Sequence, residues 1–145
     1  AIFGGGLAMG GMMYSTGLSD WIGQQIIAML GGSPSQIVLV AVFCVMALLL
    51  SELTSHKAAT NMIGPLAIGA ALSAGYNPIP VAVGIALSSS LGFMLPVSTP
   101  PNAIVYASGY IPITKMIKTG VLIDIIGIAC VTSPIVIYLV SWIVG

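Results

Sequence analysis

The sequence predicts an all-α membrane protein in which a re-entrant helical hairpin is followed by a discontinuous transmembrane helix. Three observations carry that prediction. The 145 residues are 58% hydrophobic and 4% charged, whereas soluble domains carry about 25% charged residues. The charged or titratable side chains outside the tyrosines and cysteines are Asp20, Glu52, His56, Lys57, Lys115, Lys118 and Asp124, too few to clothe a soluble surface. The apolar stretches on either side of Ser51-Glu52-Leu53-Thr54-Ser55-His56-Lys57 are short for ordinary spans. Finally, Leu95-Pro96-Val97-Ser98-Thr99-Pro100-Pro101-Asn102 sets helix breakers and polar side chains inside membrane-like sequence. Hydrocarbon offers no hydrogen bonds to a broken backbone, so such a break survives only when buried in protein or lining a watery cavity. Interrupted membrane helices of this kind are where solutes and coupling ions are held.

The elements follow in order. Residues 1–14 are apolar, and Gly4-Gly5-Gly6 reads as close helix packing in preference to ligand contact. The start, Ala1-Ile2-Phe3, is apolar with no initiator Met and no basic segment, unlike a signal peptide. The expectation is a piece of a longer protein that begins within a membrane segment. In residues 18–31, Leu18, Trp21, Ile22, Ile26 and Ile27 recur at helical spacing among Ser19, Asp20, Gln24 and Gln25. That pattern predicts an amphipathic helix lying in the interface, with Trp21 at headgroup level. Gly31-Gly32-Ser33-Pro34-Ser35 is a turn. The apolar run 37–50 covers roughly 21 Å, against a hydrocarbon core of about 30 Å. A second short apolar stretch, 62–74, carries Pro65, so residues 36–74 read as the re-entrant hairpin. Residues 80–109 read as a broken helix, with Ser88, Ser89 and Ser90 as packing residues, and 118–144 as the last transmembrane helix. Lys115 and Lys118 place the loop before that helix in the cytoplasm by the positive-inside rule, so the hairpin enters from outside.

Zero net charge and the absence of Arg exclude a basic nucleic-acid surface. Cys44 and Cys130 lie singly in apolar runs and read as small lipid- or core-facing residues. No nucleophile–base set and no metal-ligand cluster is visible, so neither an enzyme nor a cofactor is expected. Intramembrane polar residues, by contrast, mark function by default. Ser51, Glu52, Thr54, Ser55, His56, Lys57, Thr60 and Asn61 gather at the hairpin tip, and Ser98, Thr99 and Asn102 at the helix break. If tip and break meet near the midplane, they form one pocket. Helix N-termini offer free N–H groups and a partial positive charge to an anion. Hydroxyls and freed carbonyls suit Na⁺ or another hard cation. The expected chemistry is reversible binding of a small anionic solute with cation coupling. An anion channel or a structural membrane subunit is the alternative, although a structural helix needs no Ser-Thr-Pro-Pro-Asn interruption.

The stretch Gly92-Phe93-Met94-Leu95-Pro96-Val97-Ser98-Thr99-Pro100-Pro101-Asn102-Ala103-Ile104-Val105-Tyr106 closely resembles the divalent anion–sodium symporter family, which includes sodium–dicarboxylate and citrate transporters. Phe3-Gly4-Gly5-Gly6-Leu7-Ala8 and Ser51-Glu52-Leu53-Thr54-Ser55 fit the same family in order and spacing. The resemblance covers essentially the whole chain. It implies that residues 1–145 are the second, C-terminal inverted repeat of a transporter, incomplete at its start. It also implies a homodimer in which a transport domain moves against a scaffold like an elevator. The implied cargo is a C4-dicarboxylate first, or citrate or sulfate, usually with Na⁺. The setting is a multi-pass integral protein of the plasma (inner) membrane, in contact with lipid and with its own N-terminal repeat. The family's Ser-Asn-Thr signature, which binds a substrate carboxylate and helps hold sodium, falls by position on Ser55, His56 and Lys57. The second sodium is implied near Thr54 and residues 98–102. The expected binding residues are thus Ser55, His56, Lys57, Thr99, Pro100 and Asn102, with Thr54 and Ser98 as cation ligands.

This chain departs from the signature at two of its three positions, His56 and Lys57. The Lys57 ammonium could stand in for one coupling cation and weaken sodium dependence. His56, whose charge changes near neutral pH, could instead couple protons. Structural readings stand beside these: Lys57 pairing with Glu52 or snorkelling to water, His56 as a hydrogen-bonded tip residue, and Asp124 near the interface or paired with Lys118. The 145 residues are not expected to fold alone, because the partner repeat would bury the pocket face.

Overall fold

A computed structural model describes residues 8, 11–29, 31, 32, 35–133, 136, 138, 140, 142 and 143; Gly4-Gly5-Gly6 lies outside them. The helices bounded within the described residues are α1 Leu18–Met29, α2 Gln36–Leu53, α3 His56–Ser73, α4 Pro78–Ser88, α5 Pro100–Ala107 and α6 Ile113–Val131. A short 3₁₀ turn, Ser89–Leu91, extends α4.

The helix starts are set by side chains. Ser35, Ser55, Asn77 and Thr99 each accept a backbone N–H from the first turn of α2, α3, α4 and α5. This satisfies donors that a helix N-terminus leaves without partners. α2 and α3 are joined by only Thr54 and Ser55 and pack on each other, forming a helical hairpin. By length and composition α2 is apolar enough to cross a membrane, with a mean hydropathy of 2.4. It runs past the apolar stretch 37–50 through Ser51, Glu52 and Leu53. The extension is stable because Ser51 and Glu52 find hydrogen-bond partners elsewhere in the fold.

The core is shared by three helices. Leu39, Val40, Phe43, Cys44 and Ala47 of α2 pack with Ile63, Ala67, Ala70 and Ala71 of α3 and with Val81 and Ile85 of α4. α1 lies across α3 through small residues. A Cβ added to Gly23 would stand 2.7 Å from Ala70 Cα, and one added to Gly69 would stand 2.8 Å from Ser19 Cβ. Small residues let the two backbones approach this closely. Trp21 stays exposed on the far side of α1.

α6 runs from Ile113 to Val131, with Thr132 as its C-cap, and the described residues 136, 138, 140, 142 and 143 are helical as well. Pro112 occupies the N-cap, and Lys115 and Met116 both donate to its carbonyl. Much of α6 is apolar and uncovered: Leu122 is 60% exposed and Ile125 63%. A face of that kind needs lipid or further protein against it.

Candidate functional site

At the hairpin tip, Ser55 caps α3. Its hydroxyl accepts the Ala58 N–H at 3.3 Å and its carbonyl accepts the Ala59 N–H at 3.0 Å. The His56 ring turns back onto the other arm, where Nδ1 lies 2.5 Å from Ser51 Oγ. Ser51 Oγ in turn donates to the Ser89 carbonyl at 2.5 Å. A serine hydroxyl has one proton and a carbonyl has none. Ser51 therefore accepts from the ring, which assigns the proton to His56 Nδ1. Thr60 Oγ1 donates to the His56 carbonyl at 2.9 Å and lies 2.6 Å from Ser89 Oγ. His56, Lys57, Thr60, Asn61 and Ser89 line a cavity of about 330 Å³ on this side of the tip. Ser89, expected only to pack, thus ties hairpin to broken helix.

The helix break is held differently. Glu52, 2% exposed, accepts the backbone N–H groups of Met94 at 3.0 Å and Leu95 at 2.9 Å, and the Ser98 hydroxyl at 2.9 Å. The freed carbonyls of Gly92 and Leu95 accept from Asn102 Nδ2, each at 3.2 Å. Thr99 caps α5 by accepting the Asn102 N–H at 3.4 Å. Pro100 follows at the first helical position, where a missing N–H costs nothing. One carboxylate and one amide thus satisfy the interrupted backbone that lipid could not.

Tip and break touch at Gly92. A Cβ there would stand 3.0 Å from His56 Cε1, 3.2 Å from Ser51 Oγ and 3.2 Å from Ser98 Cβ. Among the expected site residues, this brings His56 and Ser98 to one point. Ser55 and Thr99 are the two N-caps flanking it. Lys57 faces the 330 Å³ cavity. Thr54 donates its hydroxyl to the Leu50 carbonyl at 2.8 Å. Asn102 turns its amide inward onto the break.

Asp124 is not at an interface beside Lys118. It is 2% exposed, whereas Lys118 is exposed. Its carboxyl group faces Glu52 and the backbone of Phe93. The signal that could have placed it is the same one that flagged the tip: an acid inside an apolar helix.

Interrupted, polar backbone held inside apolar helices is the construction of a membrane transport protein. The chain belongs to the family defined by the sodium:sulfate symporter transmembrane region, whose profile matches residues 1–144. It is 41% identical over 130 residues to a Na⁺/citrate cotransporter of Rattus norvegicus, covering 90% of this chain and 22% of that protein. It is 35% identical over 144 residues to a sodium-dependent dicarboxylate transporter of Staphylococcus saprophyticus, covering 99% of this chain and 27% of that protein. The chain spans about a quarter of the length of these relatives.

Proposed function

We propose that the chain is the C-terminal repeat of a secondary transporter that carries a small divalent anion, a C4-dicarboxylate first, across the plasma membrane by alternating access. The observation that carries this reading is the meeting of hairpin tip and helix break at Gly92, in a chain whose relatives are named for dicarboxylate and citrate transport. Two capped helix starts, α3 and α5, flank that meeting point, and helix N-termini favour anions. In this reading Ser55, His56, Lys57, Thr99, Pro100 and Asn102 surround the solute, and Thr54 and Ser98 supply oxygens to a coupling cation. The N-terminal repeat of the same protein closes the other side of the pocket. Two copies form the elevator-type dimer.

In this reading the two signature departures have separate roles. The His56 ring, not Lys57, fills the space between Ser51 and Gly92. Its Nδ1–H gives Ser51 the donor that a bound cation would otherwise replace, so His56 is the residue that weakens sodium coupling. Lys57 supplies positive charge at the adjoining cavity, where a solute carboxylate needs it.

The test is uptake of labelled succinate by the full-length parent in proteoliposomes, with an inward Na⁺ gradient or with choline in its place. Saturable uptake with counterflow is expected, and part of it persists in choline. No saturable uptake of succinate, citrate or sulfate contradicts the transport reading. Complete loss in choline contradicts the role given to His56.

A further inference from the structure

We propose that Asp124 is a buried proton site, holding its carboxyl group protonated and donating that proton to Glu52, so that α6 is latched to the helix break. The argument is an account of donors. Glu52 receives three, two backbone N–H groups and one hydroxyl, all within 3.0 Å. Glu52 therefore acts as the acceptor at the break. Asp124 receives none: both of its oxygens are buried without a hydrogen-bond partner among the described residues. It borders a cavity of about 450 Å³ whose other lining residues, Val45, Leu48, Met94, Val121 and Ile125 among them, are all apolar. An ionised Asp124 would sit beside an apolar cavity and next to the Glu52 carboxylate, whose own donors are already engaged. A protonated Asp124 removes that repulsion and supplies the missing hydrogen bond, from its O–H to the Glu52 carboxylate.

Among the described residues, the elements packed against α6 offer no rival counter-charge. α6 packs against α2, α4 and the 3₁₀ turn, and through Gly120 against Met94. Of these, α2 contributes Glu52, while residues 78–99 contain no acid, base or histidine. Glu52 acts on His56 through its field, and the His56 ring is engaged by Ser51. On α6 itself Lys118 lies six residues back and Lys115 nine, and both are exposed. The latch has a mechanical consequence. A Cβ at Gly120 would stand 2.6 Å from Met94 Cα, so the α6 backbone is already seated on the break. Asp124, one turn further along the same face, fastens that seat from the side of the hairpin.

The experiment compares the full-length parent with Asp124→Asn, which keeps a donor toward Glu52, and Asp124→Ala, which has none. Infrared difference spectra of the reconstituted protein should show the carbonyl stretch of a protonated carboxyl group, and Asp124→Asn should abolish it. Asp124→Asn should transport within about twofold of the parent. Asp124→Ala should lose about tenfold or more, the scale of one hydrogen bond to a charged group. A parent spectrum without the band, a band unchanged in Asp124→Asn, or equal losses in both variants would overturn the proposal. The spectrum is read without transport, so it decides even if the parent carries none of the tested anions.

Discussion

The two interruptions of this chain are built in opposite ways. The break at residues 92–99 is closed on itself: Glu52 takes two of its N–H groups, Asn102 takes two of its carbonyls, and Ser98 is buried. The tip at residues 54–57 is open. Ser55 and Lys57 are exposed, and a cavity lies beside them. Both are breaks in apolar helices, yet the first is buried and closed on itself, whereas the second leaves Ser55 and Lys57 exposed beside a cavity. The contrast separates positioning from recognition. A locked break fixes where α5 begins, and changes at the tip can then alter what is bound without disturbing the frame. The departures at His56 and Lys57 both fall on the open side.

The comparison breaks most severely at Glu52. Replacing it with Ala leaves two part-buried amide donors without acceptors, each worth about 1–3 kcal/mol, and leaves the Ser98 hydroxyl only its 3.4 Å bond to the residue 52 carbonyl. The full-length parent should lose roughly 3 kcal/mol or more of stability and all measurable uptake, read by thermal unfolding in detergent alongside transport. Asn102→Ala should act in the same region but less, removing two hydrogen bonds at about 0.5–1.5 kcal/mol each. Its melting point should fall while a reduced uptake survives. At the open side, His56→Asn should barely change stability and should steepen the dependence of uptake on Na⁺. If His56→Asn destabilises the protein as much as Glu52→Ala, the division between the two regions fails.

Local chemistry was legible in the sequence and long-range pairing was not. Both interruptions stand out because Ser, Thr, Asn and Pro are costly inside apolar helices, and Thr99 precedes a proline that suits a first helical position. The partnership of Glu52 with Met94 and Leu95 joins residues 42 and 43 positions apart. No spacing rule reaches that far, so Glu52 read as one more tip residue. Asp124 was misjudged for a related reason. Lys118 is nearby in sequence, but Gly120 is the residue four positions away and therefore on the same face. That face turns inward onto Met94.

Contact between hairpin and break is the claim on which the site rests, and a disulfide tests it most directly. An ideal Cβ on Gly92 lies 3.2 Å from Ser51 Oγ, and the Cβ atoms of a disulfide stand about 3.5–4.5 Å apart. In a full-length parent lacking other cysteines, the pair Ser51→Cys and Gly92→Cys should cross-link within the chain under mild oxidation, identified by mass spectrometry of the linked peptides. Two thiols that stay free in the folded, membrane-inserted protein would place the hairpin away from the break and contradict the account.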